Sequence, residues 1–332
     1  MNLTEKKSNK RTAFTIIELL TVMSIITILI SILVPAMNKA RQFAKDVKQK
    51  NQLRAIGVSL EMFHNDFGSY PPSDYDGPGD TGTYGYCGAM KLAEAMIGQD
   101  LLGFHQNSRF REDYFDGAGN LLYDRDPTTP LDDSDGHNLD LRVGPYLELG
   151  NANAHRLWHI YGNQRLEPGP GPDGVLGGFN RDAFVLCDVY DRVSSNAPTG
   201  KRYIGMPILY YKADTGGNRH PHFLNNNPAL AFIGNINDPQ NFYDYSDNDR
   251  FVQMRMPWKP PGTVHLMDSS NQQTMHSPPL DSSSANFFYH NTHDEDIAIE
   301  YGRPHKPHSF ILISAGFDGE YGTSDDIFNF AQ

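Results

Sequence analysis

The longest apolar run of this chain lies close to its amino end. From Phe14 to Met37 the sequence is FTIIELLTVMSIITILISILVPAM, in which Glu18 is the only charged residue. About 20 apolar residues in a helix cross a hydrocarbon core about 30 Å thick. A secretory signal has an apolar region of only about 7–15 residues, and no small-residue cleavage site follows this run. The pattern therefore predicts a transmembrane helix over residues 14–37.

After this run the apolar residues recur every three or four positions, which is typical of an amphipathic helix. They are Ala36, Ala40, Phe43, Ala44, Val47, Leu53, Ile56, Leu60 and Phe63. A glycine and two prolines end the pattern at residues 68–72. We predict one helix of about 50 residues, whose second part covers residues 38–66. Pro35 is expected to bend or locally open it.

The rest of the chain, residues 67–332, is rich in Asp, Asn, Gly and Pro and predicts a head with many loops. Residues 73–86 and 113–138 are predicted as long loops. Clusters of β-branched, aromatic and aliphatic residues predict strands at Ala183–Val189, Met206–Ala213, Gly262–Met267 and Ser309–Ser314. A long helix followed by short strands predicts an α+β fold with an antiparallel sheet. Residues 73–180 and 215–300 contain no motif and are interpreted as large insertions.

Charge is unevenly distributed along the chain, whose formal net charge is −12. Residues 1–13 carry four basic residues and Glu5, and residues 39–54 carry six basic residues and Asp46. With Glu18, the first 54 residues sum to +7 and leave −19 for the rest. A basic amino end on an acidic body favours a membrane-surface anchor over a nucleic-acid-binding protein. Basic residues before the apolar run also predict a cytoplasmic amino end and an exported head.

Glu18 is unusual because it lies inside the apolar run. A charged side chain at the centre of an inserted helix costs about 2.5–3.5 kcal/mol on insertion scales, and less near the end of the span. One interpretation is a carboxylate that reaches water at the interface. The other is a carboxylate with a cationic partner in an assembled form of the protein.

The residues around Glu18 resemble the prepilin family. Its processing motif is a short basic leader and a small residue, followed by Phe-Thr-Leu-Ile-Glu-Leu. This chain has Ala13, where most members have Gly, and then FTIIELL over Phe14–Leu20. The resemblance implies that residues 1–13 are a leader, that prepilin peptidase cleaves between Ala13 and Phe14, and that the new Phe14 amine is methylated. Glu18 would then face the Phe14 ammonium of a neighbouring subunit.

The carboxyl-terminal segment 314–329, SAGFDGEYGTSDDIFN, predicts a calcium site. Asp318, Asp325 and Asp326 lie within nine residues, and three glycines allow backbone carbonyls to turn inward. Ca²⁺ takes six to eight oxygen ligands from carboxylates and carbonyls. The segment also resembles the carboxyl-terminal calcium loop of major pseudopilins, Ser-x-Gly-x-Asp-Gly followed by Asp-Ile-x-Asn. The alternative is an ordinary solvated Asp-Gly turn.

A more distant resemblance covers Leu186–Tyr190 and Gly205–Tyr211, which are similar to the Asp-x-Trp-Gly-x-Pro-x-x-Tyr region of major pseudopilins. This chain lacks the Trp-Gly pair and inserts residues 191–204. The resemblance as a whole covers residues 1–72 and 305–330 best.

Together these similarities imply a pilin fold and a pseudopilin subunit of a type II secretion system. Such a subunit is single-pass in the bacterial inner membrane, with its head in the periplasm. Its partners would be the membrane, a filament of like and unlike pseudopilins, prepilin peptidase and the secretion assembly platform. It would be a substrate of the peptidase and not itself an enzyme. Two alternatives stay open: a minor type IV pilin for adhesion or DNA uptake, and a surface binding module or enzyme on a pilin-like anchor.

Other signals carry less weight. Eight of thirteen histidines fall between His220 and His308, without a zinc-binding spacing, and are interpreted as scattered loop residues. Two further Asp/Gly-rich segments, at 132–136 and at 169–178 with Asp182, do not fit the EF-hand pattern. The two cysteines could pair in an oxidising compartment or remain free thiols. Phosphate-loop, dinucleotide-binding and nucleophile-elbow motifs are absent from the sequence.

Overall fold

The computed structural model describes residues 15–80, 82–123, 139–162, 166, 178–194, 202–223, 232–260, 263–268, 284–294 and 302–330. The chain forms two compact units that divide after residue 45.

Six α-helices occur in the described residues: α1 (Ile16–Phe67), α2 (Gly88–Ile97), α3 (Leu149–Ala152), α4 (Leu157–Tyr161), α5 (Ser246–Val252) and α6 (Ser284–Thr292). The long α1 confirms the predicted continuous helix, and its end at Phe67 lies one residue beyond the prediction. Pro35 lies inside this helix. A 3₁₀ turn, Leu139–Leu141, precedes the second strand.

The strands are short: β1 (Phe104–His105), β2 (Arg142–Val143), β3 (Ala154–Arg156), β4 (Phe184–Leu186), β5 (Arg192–Ser194), β6 (Arg202–Ile204), β7 (Leu209–Lys212), β8 (His222–Phe223), β9 (Phe232–Ile233), β10 (Phe310–Ser314) and β11 (Ile327–Phe328). β7, β10 and β11 form a three-stranded sheet in the order β11-β10-β7, and the other strands pair in twos. All these pairings are antiparallel. The α+β class with antiparallel sheets is therefore confirmed.

The first part of α1 has no buried residue between Ile16 and Phe43, although most of its side chains are apolar. Ile17 is 76% exposed and Ile32 is 67% exposed. Contact between so much apolar surface and water would be unfavourable. This part is long and apolar enough to cross a membrane.

The second part of α1 is the core helix of the head. Ile56 and Leu60 are fully buried, as the three- and four-residue spacing predicts. Two buried polar residues on the same helix find backbone partners. Gln49 Oε1 accepts a hydrogen bond from Val189 N at 2.9 Å, and Gln52 Nε2 donates to Cys187 O at 2.9 Å. These bonds satisfy groups that would otherwise be costly to bury.

Helix α2 was not predicted, and all ten of its residues are buried. Its ten residues, GAMKLAEAMI, include only two charged side chains, Lys91 and Glu94, and both lie in the core. Its buried charges are satisfied: Lys91 Nζ lies 2.8 Å from Asp76, and Glu94 accepts a hydrogen bond from Tyr86 Oη at 2.6 Å. Residues 73–180 therefore supply part of the core of the head.

Three further predictions can be compared with the structure. Residues 263–267 form no strand, because His265 and Met267 instead bond to the backbone at Tyr321. The predicted strand at 309–314 is confirmed as β10. Cys87 and Cys187 are both buried free thiols.

The histidines of the second half are not all scattered. His222 and His293 stack with ring centroids 4.8 Å apart, and His220 lies 6.0 Å from His293 with nearly parallel rings. His293 directly follows α6, whereas His222 begins β8 and His220 lies two residues before it. Chain folding brings together residues about 70 positions apart, a separation at which sequence carries no contact signal.

Candidate functional site

The sequence predicts two functional regions, the processing motif and the acidic carboxyl-terminal loop. Ala13 and Phe14 lie outside the described residues. Glu18 lies in the first turn of α1, where the backbone N–H groups have no partner within the helix.

Within one chain, Glu18 has a local structural role. Its carboxylate accepts hydrogen bonds from Thr15 N at 2.9 Å and from Thr15 Oγ1 at 2.7 Å, while Glu18 N donates to Thr15 Oγ1 at 3.3 Å. This reciprocal pattern is a capping box, for which Thr-x-x-Glu is the sequence signature. That spacing is present in the sequence at Thr15 and Glu18. The capping box gives Glu18 a structural role in the isolated subunit. A test of a role in assembly must therefore distinguish that role from helix capping.

The acidic loop, residues 315–326, connects β10 to β11. The register Ser314↔Ile327 and Ile313↔Phe328 holds its two ends together. β10 is buried along its whole length, so one end of the loop is anchored in the core. The predicted segment 314–329 is therefore a loop between paired strands, with all three predicted acids inside it.

Glycines give the acidic loop its tight course. Gly316, Gly319 and Gly322 have φ values of +59°, +74° and +97°. Residues that carry a Cβ rarely adopt this region of backbone conformation. A Cβ on Gly316 would lie 2.0 Å from the Asp325 carbonyl oxygen. The two arms of the loop thus approach each other more closely at Gly316 than any other residue would permit.

The three acids are held by backbone N–H groups. Asp325 Oδ2 accepts from Asp318 N at 2.8 Å, and Asp318 Oδ1 accepts from Glu320 N at 2.7 Å. Asp326 Oδ2 accepts from Gly322 N at 2.7 Å. The second oxygen of Asp326 is buried and has no hydrogen-bond partner. An orphaned, buried carboxylate oxygen is costly, and a cation is one means of compensating it.

Crowding of the acids also affects their protonation. Burial raises the pKa of Asp318, and the nearby Asp325 charge raises it further. Burial raises the pKa of Asp326 well above its usual value, and the charges of Asp325 and Asp318 add to this. Both shifts have the same sign, because without a cation the loop disfavours its own negative charge.

The acids fit calcium in charge and oxygen chemistry, and Asp326 supplies an unsatisfied oxygen. Their donor atoms do not yet converge. Across the described residues, no group of three or more His, Cys, Asp or Glu side chains is placed to hold a metal ion. Calcium binding would therefore draw the carboxylates together and recruit carbonyl oxygens of the loop.

A buried ion pair lies beneath the acidic loop, and sequence analysis missed one of its members. Asp188 is fully buried, and Arg192 Nη1 lies 3.4 Å from its carboxylate. Arg192 Nη2 donates a hydrogen bond to Gly316 O, inside the loop. Burial raises the pKa of Asp188 to about 7, while Arg192 opposes that shift. Asp188 lies in the segment Leu186–Tyr190 that the sequence singled out, but nothing in the sequence singles out Arg192.

The two segments with the distant resemblance meet the loop in space. A Cβ on Gly205 would lie 2.1 Å from Asp188 O, so the two segments are in direct contact. Tyr321 Oη donates to Pro207 O. The remaining candidate cation segments lie mostly outside the described residues, and Asp182 pairs with Arg156 at 3.0 Å.

Comparison with protein-family models, with curated proteins and with solved structures gives no match for this chain.

Proposed function

We propose that this protein is a pseudopilin subunit of a type II secretion filament, with a pilin fold. The observation that carries the proposal is the motif FTIIELL, directly after a basic segment and a small residue, at the start of a 52-residue helix. The first half of that helix exposes apolar side chains, and the second half is the core helix of the head. Subunits that pack by such helices through contacts that do not close form a fibre.

In this proposal, prepilin peptidase cleaves before Phe14 and the new amine is methylated. The Glu18 carboxylate then pairs with the Phe14 ammonium of a neighbouring subunit within the apolar part of the filament. A buried charge is stabilised when it is paired, and the pairing would also fix the register between neighbouring helices.

Calcium in the acidic loop is the second part of the proposal. Asp318, Asp325 and Asp326 would hold the ion with loop carbonyls, and the ion would supply the positive charge that the loop lacks. The protein's own residues set the loop course and anchor its ends. This loop favours the secretion assignment over a pilus for DNA uptake, and so does the acidic head, whose net charge opposes binding to phosphates.

The capping box allows the assembly role of Glu18 to be tested separately from helix capping. Glu18→Gln keeps a side chain that can cap the helix and removes only the charge. Thr15→Val removes the capping hydroxyl and keeps the carboxylate. Both variants and the wild type should be expressed in cells with active prepilin peptidase and followed by intact mass spectrometry and filament pull-down.

We expect all three proteins to be cleaved and to begin at N-methylated Phe14. Glu18→Gln should fail to enter filaments, whereas Thr15→Val should enter them. A mature chain that still begins at Met1 would contradict the processing proposal. Normal incorporation of Glu18→Gln would contradict the pairing, and loss of assembly in Thr15→Val alone would assign Glu18 to helix capping.

A further inference from the structure

Arg192 lies at the start of β5, and its guanidinium is buried beneath the acidic loop. The side chain is 8% exposed. Nη1 donates to Tyr190 O at 2.9 Å, and Nη2 donates to Gly316 O. The guanidinium carbon lies 5.4 Å from the centre of the Trp258 ring. Hydrogen bonds and an aromatic neighbour thus fix the guanidinium in both position and orientation.

The contact with Gly316 couples Arg192 to one of the acids. Gly316 packs so closely on Asp325 that a Cβ there would lie 2.0 Å from its carbonyl oxygen and 2.8 Å from its carboxylate. A displacement of Gly316 would therefore displace Asp325. Asp325 in turn accepts the hydrogen bond of Asp318 N. The guanidinium is thus two contacts away from Asp325 and three contacts away from Asp318.

A second contact reaches the loop at Gly319, which directly follows Asp318. A Cβ on Gly319 would lie 2.3 Å from Arg192 Nε and 2.9 Å from Trp258 Cζ2. The turn at Gly319 therefore rests on the guanidinium and the indole ring. Arg192 contacts the loop on both sides of Asp318, once by a hydrogen bond and once by close packing.

We propose that Arg192 is a positioning residue that holds the backbone of the acidic loop in its observed course before calcium binds, so that binding has only to draw the carboxylates together. This inference rests on the proposed calcium site. When the binding-competent state is only partly populated, the apparent Kd rises in inverse proportion to that population. Arg192 keeps the population of the binding-competent state high. Asp188 lies 3.4 Å from the guanidinium and offsets part of its positive charge, so that Arg192 orders the loop with less repulsion of the ion.

The contacts require an arginine. Its planar guanidinium donates to Tyr190 and Gly316 from separate nitrogens while packing beside Trp258. A lysine ammonium has the same charge but is a single point donor on a flexible chain. Arg192→Lys therefore preserves the charge and loses the geometry, whereas Arg192→Met loses both.

The test measures calcium affinity of the full-length protein in detergent by isothermal titration. The variants are Arg192→Lys and Arg192→Met, and the matched control is Lys259→Met. Lys259 also contacts the loop, through a partly exposed ion pair with Glu320 at 3.0 Å, and contributes little to loop position. Hydrogen exchange of the loop amides, measured in EDTA, provides a second readout.

We expect both Arg192 variants to bind calcium about tenfold more weakly or worse, the effect of losing one charge-assisted hydrogen bond. Lys259→Met should remain within about threefold of wild type. Loop amides should exchange faster in the Arg192 variants, with β10 still protected. If Arg192→Met does not fold, Arg192→Lys decides the question.

If wild type binds calcium and Arg192→Lys binds it with the same affinity, the positioning role is overturned and the calcium site stands. A lower melting temperature with unchanged affinity would reduce Arg192 to a structural residue. Failure of the wild type to bind calcium would overturn the site and, with it, this inference.

Discussion

Asp326→Asn should change the stability of the head in opposite directions with and without calcium. Asp326 is 4% exposed, and only one of its carboxylate oxygens has a partner, Gly322 N at 2.7 Å. An asparagine can keep that hydrogen bond and removes a charge that Asp325 and Asp318 repel. In EDTA the variant should therefore be as stable as wild type, or more stable.

In millimolar calcium the order should reverse, because the variant loses an anionic ligand. A ligand present at a hundredfold excess over its Kd stabilises the folded state by about 2.7 kcal/mol. In a domain of this size class, 1 kcal/mol shifts the Tm by about 2–4 °C. Wild type should thus melt at least about 5 °C higher in calcium than in EDTA, whereas the variant should gain about 1 °C or less.

The assay is thermal unfolding of the detergent-solubilised protein, followed by near-UV circular dichroism in the two buffers. Asp116→Asn is the matched control, because Asp116 lies in another Asp-Gly turn and also accepts backbone hydrogen bonds, from Ala118 N and Asn120 N. It should keep the full calcium response. Equal destabilisation of Asp326→Asn in both buffers would refute the reasoning and leave the loop as an ordinary acidic turn.

Two further predictions concern the head. Leu60→Ala should destabilise it by about 2–5 kcal/mol in urea unfolding, because Leu60 is fully buried, whereas Val58→Ala, at a position 63% exposed on the same helix, should stay within about 0.5 kcal/mol; similar effects would mean that α1 is not the core helix. Burial lowers the pKa of His293 to about 4. Neutral His293 therefore contributes fully to the stability of the head above the unfolded pKa of about 6.5, and this contribution is lost as pH falls towards 4. His293→Gln should reduce the stability loss between pH 7 and pH 5 by about 2 kcal/mol, and His308→Gln, at an exposed site, should not; identical pH profiles would show that His293 does not titrate in this way.

Local pattern was sufficient for the elements that depend on local physics. The run from Phe14 to Met37 predicts a membrane-length helix because length and apolarity alone set that property. The buried positions Ile56 and Leu60 follow from helical spacing, and β10 follows from a run of aliphatic and β-branched residues. The Thr15–Glu18 capping box also has a local signature, which sequence analysis did not use.

The tertiary structure decided what depends on contacts between distant residues. Helix α2 is only ten residues long, and its complete burial, Lys91 and Glu94 included, depends on contacts with distant parts of the head. The sequence placed Asp318, Asp325 and Asp326 in one segment, since they are neighbours along the chain. It could not place Arg192 beneath them, because the hydrogen bond to Gly316 spans 124 residues. Side chains brought together by folding share no spacing in sequence, and only the packed head shows which buried charge meets which loop.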